Sequence, residues 1–153
     1  MACLVLASPV AGAEEASRLL ARARSALAAG DLATAEASLE AYVERVPDSA
    51  ETWLNLGLVR FARQRFDAAA AALERSVELD PAQPRAFKML GRVETARGRP
   101  ARAERAFVEA ARLDEEDAEP RYLLGRLYQS EGRLVEAARF LEDLGIGGEN
   151  DQD

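Results

Sequence analysis

The sequence has no histidine, one cysteine (Cys3) and one lysine (Lys88). Without histidine the chain lacks the commonest general base and the commonest metal ligand, and one cysteine cannot close an internal disulfide. No nucleophile–base pair of the usual kind can be assembled, so no catalytic residue is assigned and the chain reads as a non-enzyme. There is no glycine-rich phosphate loop: Gly57, Gly91 and Gly125 keep a fixed spacing, and Gly145, Gly147 and Gly148 fall in the last residues. The terminal stretch "GIGGENDQD" lacks the alternating oxygen-ligand register of a calcium loop. It reads as a flexible acidic tail over residues 145–153. The acidic run "LDEEDAEP", Leu113 to Pro120, reads as solvated charge at a turn. No metal and no cofactor is expected. Basic residues are outnumbered, 20 against 27 acids, and a net charge of −7 argues against nucleic acid, which selects a basic face. The N-terminal uncharged run, Ala2 to Ala13, is too short to cross a bilayer as a helix, so no transmembrane segment is expected.

What is present is enough for a core. The chain has 153 residues, 48% of them hydrophobic and 31% charged, which excludes wholesale disorder and suits one domain. The opening "MACLVLASPVAGAEEASR" has the apolar centre of a secretory signal, and Ala11-Gly12-Ala13 offers a small-x-small cleavage pattern. Residues 1–13 are therefore expected to be a signal peptide removed before Glu14, although the basic leading segment is missing. The other reading is a frayed, alanine-rich N-terminal helix. The first predicts a periplasmic or secreted protein, the second leaves a cytoplasmic one. An exported chain without cysteine is compatible with stability that needs no disulfide.

A period of 34 residues runs through the chain: Gly57, Gly91 and Gly125 are each 34 apart, and one step back lies Ala23. Twelve residues after each stands an alanine, Ala35, Ala69, Ala103 and Ala137. Seven residues after each, where the chain should turn, stand Gly30, Gln64, Gly98 and Gly132. Within each unit apolar and small residues recur at helical spacing, as in Trp53, Leu56 and Gly57, then Phe66, Ala69, Leu73 and Val77. Boundaries carry their own chemistry. Asp48 or Ser49 can cap the helix through Trp53, with Asp48 and Glu51 at capping-box spacing. Asp31 can cap after the Gly30 turn, and Asp117 can cap the helix containing Pro120. Pro84 and Pro100 stand where a first-turn proline is tolerated. The prediction is an all-α chain of antiparallel helix pairs, each helix about 12–15 residues long.

These residues resemble the tetratricopeptide repeat. "AETWLNLGLVRFARQRFDAAAAALERSVELDPAQ", 50–83, carries the pattern most fully in Trp53, Leu56, Gly57, Phe66, Ala69 and Leu73, with Pro81 near its end. The unit 84–117 keeps Phe87, Leu90, Gly91, Ala103, Phe107 and Ala110. The unit 118–144, partial, keeps Leu124, Gly125, Tyr128, Gly132, Ala137 and Leu141. A degenerate first unit, 16–49, keeps Leu19, Ala23, Gly30, Ala35, Leu39 and Pro47. The resemblance covers residues 16–144 and implies a right-handed superhelical solenoid of about four repeats. It also implies a binding role: the first helix of each pair lines a concave face, with the second, fifth, ninth and twelfth positions pointing into it. Their 3-4-3 spacing puts them on one helical stripe.

In the first repeat those positions are Ser17, Leu20, Arg24 and Leu27. The second offers an apolar floor of Leu54, Leu58 and Phe61. The third and fourth offer the cations Arg85, Lys88, Arg92 and Arg126, with Tyr122 among them. A cationic patch in an acidic protein suits a peptide with acidic side chains or a free carboxylate, although arginine is also this chain's default basic residue. The lysine and asparagine set of the family's carboxylate clamp is incomplete, because Arg92 replaces the asparagine and Leu123 occupies a polar slot. Trp53, Phe87 and Tyr128 read as packing residues. Solenoid ends are atypical. Arg22 stands where the later repeats have Leu56, Leu90 and Leu124, and no polar helix follows the last repeat. The stripe of Leu134, Ala138, Leu141 and Leu144 is therefore expected to be uncovered, a surface for self-association or for docking as an adaptor subunit. Envelope assembly in a bacterium is a context the resemblance makes plausible.

Overall fold

A computed structural model of the chain describes residues 9–142. Its elements are α1 (Pro9–Ala28), α2 (Leu32–Arg45), α3 (Ala50–Ala62), α4 (Phe66–Leu79), α5 (Pro84–Ala96), α6 (Pro100–Leu113), α7 (Glu119–Ser130) and α8 (Leu134–Glu142), with no strand among the described residues. The all-α expectation holds, and so does the 34-residue phase of the helix pairs. The first helix is longer than its counterparts because it begins at Pro9, inside the stretch read as a signal peptide; Ala11, Gly12, Ala13 and Glu14 on it are exposed. The expected tail, 145–153, lies outside the described residues, as does Leu144.

Local chemistry sets the boundaries. The Asp31 side chain accepts the Thr34 N–H at 3.0 Å and starts α2. Ser49, rather than Asp48, caps α3 by accepting the Thr52 N–H at 3.3 Å. Pro84 and Pro100 sit in the first turns of α5 and α6, where a missing N–H costs nothing. The N-cap of α7 is Ala118; Asp117, the expected cap, stands one residue earlier and accepts the Glu119 N–H at 2.9 Å. At the four turns inside the helix pairs the backbone is left-handed, φ +74° at Gly30, +60° at Gln64, +67° at Gly98 and +74° at Gly132. Gln64 is the non-glycine member of that set and carries the strain of a side chain in this region.

The chain divides between Leu79 and Asp80 into two compact units, each of two helix pairs. In the first, α1 packs on α2, α3 on α4, and α2 on α3; in the second, α5 packs on α6, α7 on α8, and α6 on α7. The core of the first unit joins Ala23, Ala35, Leu39, Val43, Leu56, Val59 and Ala72, with Trp53 packed against it. In the second unit Phe107, Leu124, Leu127, Tyr128 and Ala137 form a corresponding cluster with Phe140 at its margin. Inside the last three pairs the first helix touches the second at glycine; in the first pair the same position is the buried Ala23. A Cβ on Gly57 would lie 2.6 Å from Leu73 Cγ, one on Gly91 2.5 Å from the Phe107 ring, and one on Gly125 2.7 Å from Leu141 Cδ2. The neighbour facing Gly57 is thus Leu73 before Ala69, whose carbonyl oxygen is 3.4 Å away.

Consecutive pairs are held by charge as well as by apolar contact. Glu36 on α2 is 1% exposed and accepts hydrogen bonds from Arg60 Nε at 3.1 Å and from Arg63 and Arg65; Arg60 also reaches Glu40 at 2.7 Å. In the second unit Glu104 on α6 accepts from Tyr128 Oη at 2.8 Å and Arg133 Nη1 at 2.9 Å. Glu36 with Arg65 and Glu104 with Arg133 share one spacing, 29 residues. Burial opposes the charge on Glu36, but hydrogen bonds from Arg65, Arg60 and Arg63 outweigh it and hold the pKa below the usual carboxylate value. At Glu104 the Arg133 hydrogen bond acts in the same direction. Burial and the Glu104 hydrogen bond push the Tyr128 hydroxyl up to about 12.

Three outcomes are expected in thermal or denaturant melts. Gly57→Leu overpacks against Leu73 and destabilises by about 1–3 kcal/mol; a neutral result rules out the packing role. Gln64→Gly relieves the left-handed turn, against a gain in unfolded-chain entropy, and stabilises by about 0.5–1 kcal/mol. Glu36→Gln leaves three guanidinium groups around a neutral amide and costs about 3 kcal/mol. Because the folded-state pKa of Glu36 is depressed, its contribution is complete above the unfolded carboxylate pKa and is lost as pH falls through the folded value. The loss of stability on acidification is therefore shallower in Glu36→Gln than in the parent chain.

Candidate partner-binding surface

The inner stripe of the first unit is apolar but partly closed. Leu54 is 2% exposed and belongs to the packed interior, so it is not an open floor residue. Leu58 and Phe61 are half-buried, and the Phe61 ring meets Phe66 at 5.7 Å between centroids, tilted by 53°. On α1, Leu20 is half-buried and Leu27 is 41% exposed. Leu27, Leu58 and Phe61 are what this unit presents to an apolar side chain.

The second unit places its sequence-assigned cations differently from one another. Lys88 on α5 is half-buried and its Nζ lies 2.5 Å from Asp117 Oδ2 and 2.8 Å from Glu119 Oε2. Arg92, one turn along, is 3.8 Å from Glu119 Oε1. Arg85 and Arg126 are exposed, and Arg126 Nη1 donates to Tyr122 Oη at 3.4 Å with its guanidinium 6.0 Å from the ring centre. The patch is therefore internally balanced at Lys88 and open at Arg85 and Arg126. Burial lowers the Lys88 pKa, but the hydrogen bonds to Asp117 and Glu119 prevail and raise it above the ordinary value. The Lys88 hydrogen bond holds the Asp117 carboxyl below its usual range. An incoming carboxylate at Lys88 must compete with two acids already there.

The sequence reading missed the role of Asp117, which it assigned only as a cap. A legible clue was the 29-residue step from Lys88 to Asp117, the same step that separates Glu36 from Arg65. The aromatic residues read as packing groups are placed so. Trp53 Nε1 donates to the Pro47 carbonyl at 2.8 Å, and Tyr128 is buried. Phe87 is half-buried and, with Leu90 and Glu94 of α5 and Arg102 and Ala106 of α6, lines a depression of about 580 Å³. Glu94 there is held by Arg97 Nη1 at 2.9 Å and faces Arg102 at 3.5 Å, an internal ion pair. Among the described residues no group of acids, histidines or cysteines could hold a metal ion, and no helix is long and apolar enough to cross a membrane.

Two family profiles described as tetratricopeptide repeat match residues 20–84 and 94–152. The chain belongs to the tetratricopeptide repeat family. A crystal structure of MamA is similar at 24% identity and TM-score 0.83, covering 88% of this chain and 78% of that one. A tetratricopeptide repeat protein from Parabacteroides merdae is similar at 18% identity and TM-score 0.81, over 90% of this chain and 55% of that one. The first tetratricopeptide repeat domain of Spaghetti (RPAP3), bound to the HSP90 peptide SRMEEVD, matches at 16% identity and TM-score 0.74, over 78% and 94%. These likenesses show a tetratricopeptide-repeat solenoid fold. No curated protein matches the chain by sequence.

The ion pairs of the second unit give one direct check. In Lys88→Met, Asp117 loses its ammonium partner and faces Glu119 unshielded, so its carboxyl titrates at higher pH than in the parent chain. Carboxyl NMR titration reads the change; an unmoved Asp117 means that the Lys88 contact is not formed in solution. The pair is partly exposed, so the cost in stability is about 1 kcal/mol or less.

Proposed function

We propose that the protein is a non-enzymatic interaction scaffold that binds a peptide or protein segment on the inner stripes of its first helices. Membership of the tetratricopeptide repeat family supports this role, as does a fold shared with a domain whose structure holds a peptide. Taken by itself, the first unit suits apolar side chains at Leu27, Leu58 and Phe61; taken by itself, the second suits carboxylates. The observation that carries the acidic character is the exposure of Arg85 and Arg126 in a unit where Lys88 already holds two carboxylates in good geometry. Charge-assisted hydrogen bonds of this kind are the stronger ones, and guanidinium groups take carboxylates in two-point contact.

Affinity capture with the purified chain, followed by mass spectrometry, identifies the partner. Its binding then falls about tenfold or more in the double variant Arg85→Glu/Arg126→Glu, with the loss concentrated at low salt. Both residues are exposed, so the fold is retained. Undiminished binding would rule out the carboxylate reading and leave the scaffold reading standing.

The protein acts outside the cytoplasm in this proposal, as part of envelope assembly in a bacterium. Exposed Ala11, Gly12 and Ala13 support removal of the leader, since the residues next to the cut before Glu14 are open to a peptidase. N-terminal sequencing of the native protein is expected to begin at Glu14; Met1 or Ala2 as the first residue would place it in the cytoplasm. A second reading, an adaptor subunit that docks through α8, is favoured by Leu134, which is 67% exposed.

A further inference from the structure

The ion pairs between successive helix pairs are of two kinds. Those on the stacking faces recur: Glu36 with Arg65 in the first unit has its counterpart, two repeats on, in Glu104 with Arg133. The pairing of Lys88 with Asp117 and Glu119 does not recur. Two repeats earlier the same positions hold Leu20, Ser49 and Glu51, and Leu20 has no charge to offer either neighbour. The first unit stacks its helix pairs without such a contact, so the fold does not require it in the second.

The two acids at Lys88 are held differently. Asp117 is fixed from both sides: it binds the Lys88 ammonium, and its side chain also accepts the Glu119 N–H at 2.9 Å. The Glu119 carboxylate is held by side-chain cations, Lys88 Nζ at 2.8 Å and Arg92 Nη1 at 3.8 Å, and its side chain is 44% exposed against 29% for Asp117. Ion pairs with that exposure contribute about 0–1 kcal/mol, so Glu119 can swing away at little cost. Glu119 also stands at the second position of its repeat, on the inner stripe of α7 with Tyr122 and Arg126.

We propose that Glu119 is a built-in competitor at Lys88, which a carboxylate of the partner displaces while Asp117 stays in place. This rests on the reading of the second unit as a site for carboxylates and adds how that site selects among them. Exchanging one carboxylate for another at an ammonium is nearly neutral. A ligand with a single carboxylate therefore gains little against a tethered competitor, whose effective concentration is about millimolar. A ligand with several carboxylates also engages the exposed Arg85 and Arg126 and prevails. Selectivity then comes from the repulsive element as well as from the attractive ones.

The test measures binding of fluorescein-labelled hexaglutamate by anisotropy at low salt. Glu119→Ala is expected to bind about tenfold tighter than the parent chain. Glu116→Ala, the same charge change at an exposed residue of the preceding turn, is expected to bind as the parent does. In a Lys88→Met background the gain from Glu119→Ala is expected to vanish. Thermal melts of all variants check that the fold is kept; both acids are exposed. Equal gains in Glu119→Ala and Glu116→Ala would reduce the effect to net charge and overturn the proposal. So would an unchanged affinity in Glu119→Ala, or a gain that persists with Lys88→Met. In each of those cases binding that falls in Arg85→Glu/Arg126→Glu leaves the carboxylate reading standing. Hexaglutamate binding to neither the parent nor Glu119→Ala would overturn both.

Discussion

The close approach of two helices at a residue without a side chain is the constraint on which the rest of this structure depends. Gly57, Gly91 and Gly125 each face a large residue, Leu73, Phe107 or Leu141, at a distance no Cβ tolerates. A mid-helix glycine costs about 1 kcal/mol relative to alanine. That cost is offset because the opposing leucine or phenylalanine fills the space fully: Leu73 and Phe107 are among the most deeply buried side chains. Once the two helices meet at that point, their remaining faces are fixed. One stripe of the first helix is left on the inner side, and one stripe of the second is offered to the next pair.

Arginine chemistry then secures the stacking. A lone carboxylate with the burial of Glu36 would be strongly disfavoured, and the site is stable because Arg60, Arg63 and Arg65 converge on it. The planar guanidinium suits this role better than an ammonium, since Arg60 bonds Glu36 and Glu40 through different nitrogens while also donating to the Ala68 carbonyl. The near absence of lysine, read as a compositional default, thus coincides with a structural use. The lysine that is present sits where a compact ammonium fits between two carboxylates, at Asp117 and Glu119.

The helix pairs, their phase and most of their caps were legible because they rest on local rules: a 34-residue recurrence, proline in the first turn, Asp31 and Ser49 as caps. The family followed from the same residues. The surface was less legible, for a physical reason. Position in the repeat told which face Leu54 occupies but not that this face is covered, and Leu54 is interior. Likewise, three cations along α5, with Arg126 on α7, looked like an open patch, whereas the acids that hold Lys88 come from the turn before α7 and its first residue. Charge counted along one helix omits what its neighbour brings. The 29-residue step shared by Glu36–Arg65, Glu104–Arg133 and Lys88–Asp117 is the sequence trace of that neighbour.

The same distinction separates scaffold from function across the molecule. Residues that face the partner helix within a pair are small or large according to packing alone, and their chemistry says nothing about ligands. On α2 and α6 the second position of the stacking stripe carries chemical information, because Glu36 and Glu104 each meet a donor on the helix packed against them, whereas on α4 the same position is Ala70. Glu36 and Glu104 are matched inside the chain by donors; Ala138 has no donor to match and stands on an exposed stripe. The stacking that builds each unit is thus a matter of paired chemistry as well as of apolar contact.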